Sequence, residues 1–243
     1  MKEIRKDTYH ACIPLTGISM AEVESEIVDG MRQQCDYFEW RRDYFGIGDK
    51  ISKSRERENL LAIRQKIGET GLIYTFRGQA EGGAGDWSDA DRLMGIKTAI
   101  CSDVVDYIDV ELVNSDAFHQ EIIKALKTGQ SGKILSSHNF DQTPGIKEIA
   151  GIFSKMTEKN ADVLKLAVKT ETLHDLQRLI KASLNFQTDR SMIVIGMGSA
   201  GALTRIAPEI LGGSLSFAAG AKKTAPGQLG IEEIIKLRDA LGL

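Results

Sequence analysis

Lys165 lies in the middle of a short apolar run, residues 162–168 (DVLKLAV). Such a run is typical of a β-strand that is buried on both faces. Lysine is nearly always found at the surface, because desolvating an unpaired ammonium group is costly. A lysine held in apolar surroundings has a lowered pKa, and its neutral amine can attack a ketone or an aldehyde to form a Schiff base. The run alone also fits an edge strand whose Lys165 points into water.

His138 follows the β-type run that precedes the Lys165 run, and it is the only histidine predicted at the end of a strand. Imidazole titrates near neutral pH, which suits a general acid and base. His10, His119 and His174 are predicted at a strand start or on helices, where a structural or solvated role is favoured. A lone His138 could also be a core histidine, but Lys165 on the adjacent strand favours a catalytic role.

Short β-type runs alternate with amphipathic, helix-type runs along the 243 residues. We predict strands at about 10–15, 36–41, 72–76, 105–110, 133–137, 162–168, 191–195 and 214–217. We predict helices at about 19–33, 53–67, 89–101, 115–127, after 144, and at 171–184, 199–207 and 231–241. Strict alternation implies a parallel sheet, and eight such units predict a (β/α)8 TIM barrel, a single α/β domain over residues 1–243. An open, doubly wound sheet is the competing fold.

Polar side chains are predicted at the carboxyl ends of five successive strands. Most come in pairs two residues apart, which places both members of a pair on one face of a strand. The residues are Glu39 and Arg41, Thr75 and Arg77, Asp109 and Glu111, Ser136 and His138, and Lys165. Because the active site of such a barrel lies at the carboxyl ends of its strands, this set predicts a site there rather than a single salt bridge. Arg41 or Arg77 would further favour the neutral amine of Lys165.

Glu81 lies in the glycine-rich segment 77–85 (RGQAEGGAG), after the third predicted strand. The glycines allow tight and mobile backbone. Glu81 could orient an imidazole, or it could be a solvated glutamate on a flexible surface loop, which is the favoured reading of this segment alone.

Residues 196–201 (GMGSAG) match the GxGxxG pattern of dinucleotide-binding folds. The nearest downstream acidic residue, Glu209, is too close to fit that fingerprint, so we do not expect nicotinamide binding. Backbone amides at the start of the following helix could instead hold a substrate carboxylate, for which Arg205 would supply a matching fork. Thr224 and Gln228 follow the last strand, and could contact a hydroxyl-rich substrate or simply form a turn.

The charge, the apolar runs and the cysteines indicate which kinds of partner and location to expect. The net charge is −3, from 31 basic and 34 acidic residues, and there is no long basic stretch, so no nucleic-acid partner is expected. The cations of residues 53–66 are interpreted as a solvated helix face. Neither a secretory signal nor an apolar run of about 20 residues is present, and we expect no membrane contact and a cytoplasmic location. Cys12, Cys35 and Cys101 contain no CxxC pair and are expected to be buried free thiols.

The strand-end segments, in this order, resemble the type I 3-dehydroquinate dehydratases of the shikimate pathway, which serves aromatic amino acid biosynthesis. The resemblance runs from residues 13–17 to residues 225–228, nearly the whole chain. It is carried by residues 39–43 (EWRRD), 75–77 (TFR), 81–83 (EGG), 106–111 (DYIDVE), 136–140 (SSHNF), 165–168 (KLAV) and 225–228 (APGQ).

The resemblance implies an enzyme that removes water from 3-dehydroquinate to give 3-dehydroshikimate. Lys165 would form a Schiff base with the C3 ketone, and His138 would take the C2 proton and then protonate the departing C1 hydroxyl. Glu81 would orient His138, and Arg205 would bind the substrate carboxylate. The substrate-binding positions would be completed by Glu39, Arg41, Arg77, Thr224 and Gln228. Members of this family need no metal or diffusible cofactor and are often homodimers.

The chain departs from the family pattern at four positions. Lys169 replaces methionine, Gly196 and Thr224 replace serine, and Asn139 replaces aspartate. A Schiff-base aldolase on the same barrel and a non-catalytic barrel that serves as a binding module remain as alternatives. Aldolases often bind phosphate, whereas the cluster of carboxylates and arginines suits a polyhydroxy acid. A non-catalytic barrel would be expected to have lost its lysine or its histidine.

Overall fold

The computed structural model describes residues 1–220 and 228–243. In these residues strands and helices alternate. The strands are β1 (His10–Leu15), β2 (Tyr37–Arg41), β3 (Gly71–Thr75), β4 (Tyr107–Glu111), β5 (Gly132–Asn139), β6 (Val163–Lys169), β7 (Ser191–Met197) and β8 (Leu215–Phe217). The helices are α1 (Met20–Arg32), α2 (Lys53–Ile67), α3 (Asp89–Ile100), α4 (Asp116–Leu126), α5 (Ile146–Glu158), α6 (Leu173–Asn185), α7 (Leu203–Ile206) and α8 (Ile231–Leu241). Short 3-10 helices are formed by Arg42–Tyr44, Gln79–Glu81 and Pro208–Leu211.

The eight strands form one sheet in the order β7-β6-β5-β4-β3-β2-β1-β8. Every strand pair whose register is defined is parallel. The order follows the sequence without the reversal that marks a doubly wound sheet, so that competing fold is wrong. Eight parallel strands, each followed by a helix, make this a (β/α)8 barrel, and the predicted fold class is confirmed.

The chain divides into two compact units by its internal contacts. The first unit comprises Met1–Glu3 and Pro14–Lys133, and the second comprises Ile4–Ile13 and Ile134–Leu243. Strands β2–β4 and helices α1–α4 belong to the first unit, and strands β6–β8 and helices α5–α8 belong to the second. The prediction that residues 1–243 form a single domain stays a prediction.

Serine side chains fix the starts of the helices in the first unit. The hydroxyl of Ser19 accepts a hydrogen bond from the backbone N–H of Glu22, as the predicted N-cap requires. Ser52, Ser88 and Ser115 cap α2, α3 and α4 in the same way. These caps leave little freedom in where each helix begins, which explains why the predicted starts lie close to the observed ones.

Two sequence-based interpretations of the first unit are wrong. Arg64 is not simply solvated, because its guanidinium donates to the carbonyls of Thr70 (2.8 Å) and Val104 (2.9 Å) and pairs with Asp106 at 2.8 Å. Cys101 is exposed, since it caps the carboxyl end of α3 at the surface. Within the described part of the chain, no helix has the length and apolar character needed to cross a membrane.

Candidate functional site

The ends of β2, β3 and β4 place polar side chains in contact with one another in the first unit. The Thr75 hydroxyl donates to Glu39 at 2.8 Å, and the Arg77 guanidinium pairs with Asp109 at 2.9 Å. Glu39, Arg77 and Asp109 are all buried. The side chains that the sequence predicted at neighbouring strand ends therefore do meet there.

Arg77 is surrounded by carboxylates. Besides Asp109, its Nη1 atom lies 3.7 Å from Glu111 and 3.9 Å from Glu81. Burial by itself would lower the pKa of Arg77, but Asp109, Glu111, Glu81 and Glu39 together raise the pKa well above its usual value. The guanidinium is thus permanently charged, and it balances part of a larger negative charge.

Glu111 is itself held from several sides. It accepts hydrogen bonds from the backbone N–H of Gly78 (2.6 Å), from Arg92 (2.6 Å) and from the Asn114 amide (2.9 Å). Because charge-assisted bonds of this length are strong, the carboxylate is fixed in place. It anchors the start of the segment that follows β3.

Glu81 ends the 3-10 helix Gln79–Glu81, and only 7% of its surface is exposed. The surface-loop interpretation of this segment is therefore wrong. The segment is compact, because the Gly83 N–H donates to the Gly78 carbonyl at 3.0 Å and Gly82 adopts a left-handed conformation with φ of 79°. A side chain at position 83 would overlap the Arg77 carbonyl.

Arg41 pairs with a residue to which the sequence had assigned no role, Asp43. The guanidinium donates to both carboxylate oxygens, at 2.9 and 2.8 Å, and stacks on the Tyr44 ring at 4.9 Å. Burial opposes the charge of Arg41, but Asp43 and Glu39 raise its pKa above the usual value. The signal in the sequence was an arginine at the end of a strand with an aspartate two residues later.

Lys165 is 3% exposed and lies at the centre of a strand that is paired on both sides, with β5 and with β7. The edge-strand interpretation is therefore wrong. The Lys165 Nζ atom lies 4.2 Å from the centroid of the Phe217 ring on β8. The sequence had placed Phe217 on the last strand without any role, because a contact between distant strands has no local signal.

His138 is half-buried and lies close to the end of β5. Ser136 is the register partner of Lys165, and His138 is the register partner of Ala167. Since residues two apart share a face, His138 and Lys165 project from the same face, on neighbouring strands and one diagonal step apart. Its ring is stacked with that of Phe140, with 6.1 Å between the centroids.

Arg205 is 1% exposed in the second unit, and it donates to the Phe217 carbonyl at 3.2 Å. Burial lowers the pKa of Arg205 to about 10. A guanidinium whose charge is disfavoured by burial would be stabilised by an added anion. Gln228 is 2% exposed, whereas Thr224 lies outside the described residues.

The glycines of segment 196–201 are explained by packing. A Cβ atom on Gly201 would overlap the Gly196 backbone, and one on Gly196 would lie 2.9 Å from the Thr170 hydroxyl. Gly198 has φ of 107°, and the Gly196 N–H donates to Thr204 at 2.9 Å. Helix α7 has only four residues, so the helix predicted at 199–207 is shorter than expected. The prediction that backbone amides of this segment hold a substrate carboxylate stays a prediction.

Two of the positions that depart from the family pattern have local explanations. The Lys169 ammonium lies 2.9 Å from Glu171, which raises its pKa, and 40% of the Lys169 side chain is exposed. The Asn139 side chain accepts from the backbone N–H groups of Asp141 (3.0 Å) and Gln142 (2.9 Å). Asn139 therefore shapes the turn after β5.

Comparisons with known proteins agree on one family. Residues 11–243 match the family model described as type I 3-dehydroquinase. The 3-dehydroquinate dehydratase of Bacillus licheniformis is 31% identical over 92% of this chain and 88% of its own length. That of Albidiferax ferrireducens is 33% identical over 95% of this chain and 89% of its own length.

Solved structures give the same result. The crystal structure of type I 3-dehydroquinate dehydratase from Clostridium difficile, with covalently modified comenic acid, has a TM-score of 0.88 at 30% identity and covers 96% of this chain and 92% of its own. The 3-dehydroquinate dehydratase from Geobacillus kaustophilus has a TM-score of 0.90 at 26% identity, over 96% of this chain and 91% of its own. This chain belongs to the type I 3-dehydroquinase family.

Proposed function

We propose that this chain is a 3-dehydroquinate dehydratase that eliminates water from 3-dehydroquinate through a Schiff base on Lys165. The observation that carries the proposal is the placement of Lys165, a buried lysine on a central strand with His138 on the same face of the neighbouring strand. A buried amine with an imidazole on the same face of the neighbouring strand suits covalent catalysis followed by proton transfer.

The reaction proceeds in balanced steps. The Lys165 amine adds to the C3 ketone and water leaves, which gives a protonated iminium. The iminium withdraws electrons from C2, so that His138 can remove the C2 proton. The electron pair then moves to form the double bond between C1 and C2, and the C1 hydroxyl departs as water with the proton that His138 returns. Hydrolysis of the imine releases 3-dehydroshikimate and the free amine.

The remaining assignments follow the family resemblance and the local charges. Glu81 orients the His138 imidazole in this proposal. Arg205 binds the substrate carboxylate, and the lowering of its pKa by burial supports this role. The substrate's hydroxyl groups are bound by Glu39, Arg41, Arg77, Thr224 and Gln228.

The charges near the ends of β2–β4 disfavour the aldolase alternative. Glu39, Glu81, Asp109 and Glu111 lie around Arg77, so this part of the site repels the phosphate groups that aldolases often bind. A polyhydroxy substrate instead finds carboxylates and guanidinium groups that can accept and donate hydrogen bonds.

Trapping of the covalent intermediate tests the proposal. The protein is incubated with 3-dehydroquinate, reduced with borohydride and weighed intact, and the adduct is mapped by peptide mass spectrometry. We expect one adduct, on Lys165. Lys165→Ala should lose both adduct and turnover, whereas His138→Ala should keep the adduct and lose elimination.

Lys169→Ala is the matched control. Lys169 lies on the same strand, four residues further on, but its side chain is substantially exposed and paired with Glu171. This variant should keep the adduct. A wild-type protein that gives neither an adduct nor the absorbance of the enone product would contradict the proposed function.

We also propose a cytoplasmic homodimer with no nucleic-acid or membrane partner, as expected from composition and resemblance. Light scattering after gel filtration tests the oligomeric state. A mass of one chain, which is 26.7 kDa, would contradict the dimer.

A further inference from the structure

Asp43 is fully buried directly after β2, in the 3-10 helix Arg42–Tyr44. Its carboxylate receives the fork of Arg41 at 2.9 and 2.8 Å. A fork of this kind fixes both the position and the direction of the guanidinium. Asp43 therefore determines where Arg41, a proposed substrate-binding residue, presents its charge.

Asp43 also holds the segment that carries Glu81. Its Oδ2 atom accepts a hydrogen bond from the Ala84 backbone N–H at 2.9 Å, and its own carbonyl accepts from the Trp87 indole at 2.9 Å. Ala84 is three residues after Glu81 in the chain. One aspartate thus contacts both the end of β2 and the loop after β3.

Arg41 makes a second connection between the same two segments. Its Nη2 atom reaches the Gly82 carbonyl at 3.4 Å, directly after Glu81. Arg41, Asp43 and the residues that follow Glu81 are consequently parts of one hydrogen-bonded unit. A shift of Arg41 and a shift of the loop are not independent.

The 3-10 helix around Asp43 is also held by contacts of Arg42. The Arg42 guanidinium pairs with Glu56 on α2 at 2.8 Å and lies over the rings of Phe76 (5.1 Å) and Trp87 (5.0 Å). A buried ion pair with aromatic contacts of this kind resists displacement. The backbone at Asp43 is therefore held in place, and Arg41 and the loop after β3 are attached to it.

We propose that Asp43 is a positioning residue of the elimination reaction, which fixes the Arg41 guanidinium and the Glu81 segment in one arrangement. The inference rests on the proposed function and extends it, because it makes substrate binding at Arg41 and proton transfer assisted by Glu81 depend on a single carboxylate. Asp43 acts through these two residues and does not touch the substrate.

Asp43→Asn tests the inference. The amide keeps the shape of the side chain, but it loses the charge and offers Arg41 only one acceptor oxygen. Displacement of catalytic groups by about 1 Å lowers rates on the order of 100-fold, so we expect kcat to fall roughly 10- to 100-fold and KM to rise about 10-fold. A purely structural role would leave kcat and KM of the folded fraction unchanged.

Double variants identify the route of each effect. In a Glu81→Ala background the loss of kcat from Asp43→Asn should disappear, and in an Arg41→Ala background the rise of KM should disappear. The inference would be overturned if the effects of Asp43→Asn on kcat and KM were fully additive with those of both background substitutions. It would also be overturned if Asp43→Asn alone had the kcat and KM of wild type.

A second measurement is independent of turnover. Amide hydrogen exchange of residues 78–87 should become at least 10-fold faster in Asp43→Asn, whereas exchange in β6 should not change. If Asp43→Asn does not fold, Trp87→Phe removes the indole hydrogen bond to the Asp43 carbonyl and keeps an aromatic ring beside Arg42 and Phe76, and it should accelerate exchange in the same segment. Unchanged exchange in the folded variant overturns the inference. A wild-type protein without a Schiff-base adduct overturns the proposed function instead, while the exchange experiment still tests the attachment.

Discussion

Replacement of Arg77 by methionine should destabilise the protein strongly, because it removes a cation that several buried carboxylates share. At an effective dielectric constant of 20, the pair with Asp109 at 2.9 Å corresponds to roughly 6 kcal/mol of attraction. Each contact with Glu111 (3.7 Å) and Glu81 (3.9 Å) corresponds to roughly 4 kcal/mol. Desolvation offsets much of this attraction, and removal of one partner from a buried pair typically costs about 3–5 kcal/mol. With three carboxylates affected, we expect a loss near the upper end, about 5 kcal/mol.

Arg205→Met is the matched control, since it removes an equally buried arginine. Burial lowers the pKa of Arg205, which means that the protein disfavours its charge, in contrast to Arg77. Methionine at this position loses the hydrogen bond to the Phe217 carbonyl but also removes a charge that burial disfavours, so the free energy of unfolding should stay within about 1 kcal/mol of wild type. Both variants should bind 3-dehydroquinate poorly. Arg77→Met should lose stability as well, whereas Arg205→Met should lose binding alone.

Urea unfolding followed by circular dichroism measures both effects. With a slope of roughly 3 kcal/mol per molar urea, the midpoint of Arg77→Met should fall by about 1.5 M and that of Arg205→Met should hardly change. The reasoning is refuted if Arg77→Met loses less than about 1 kcal/mol, or if the two variants lose the same amount.

The pH dependence gives an independent check on Arg77→Met. Without the cation, the pKa values of the crowded carboxylates rise in the folded state above the unfolded value near 4, so the folded state binds more protons between those values. Stability of the variant should therefore increase as the pH falls from 7 to 5. In the wild type the pKa of Arg77 is raised, so the stability that its charge contributes is fully present at any pH below the pKa of arginine in the unfolded chain. That contribution is therefore constant between pH 5 and pH 7. An Arg77→Met variant that is unfolded at pH 7 and folds at pH 5 would also show that its stability increases as the pH falls.

Two further predictions concern packing and buried thiols. Gly196→Ser should lower the free energy of unfolding in urea by about 1–3 kcal/mol, because overpacking of a tight site forces shifts of its neighbours. Thr170→Ala should restore part of this loss, since the added Cβ lies 2.9 Å from the Thr170 hydroxyl. A Gly196→Ser variant as stable as wild type would contradict the prediction. Burial and the nearby Asp36 raise the pKa of the Cys35 thiol to about 12. As the pH rises above about 9, the thiol therefore loses its proton in the unfolded state before it does so in the folded state, and the free energy of unfolding should fall. Cys35→Ala should reduce this dependence on pH, and an unchanged dependence would contradict the assignment.

Local sequence signals were sufficient for most of the secondary structure. Helix α2 at residues 53–67 and helix α8 at residues 231–241 were predicted with their observed bounds. Helix α7 was predicted at 199–207, but only Leu203–Ile206 is helical, because the glycines that precede it are packed against the end of β7. The spacing of two residues at the strand ends likewise predicted that Glu39, Thr75, Arg77 and Asp109 lie on neighbouring faces, where they are in contact.

Contacts between distant segments could not be predicted in the same way. The burial of Glu81 depends on the hydrogen bonds that close its segment, and the partner of Arg41 depends on the 3-10 helix after β2. That helix is in turn held by the pairing of Arg42 with Glu56, residues that lie 14 positions apart in the sequence. The contact of Phe217 with Lys165 joins residues on two strands, and no local pattern encodes it.

Gly83 shows how such a contact restricts the chain. A side chain there would collide with the Arg77 carbonyl, so the backbone of residue 83 and that of the arginine fit together only while position 83 is bare. Any larger residue would displace both Arg77 and Glu81, which lie on either side of this closure. A position with no functional group of its own is thereby as intolerant of replacement as one that takes part in the chemistry.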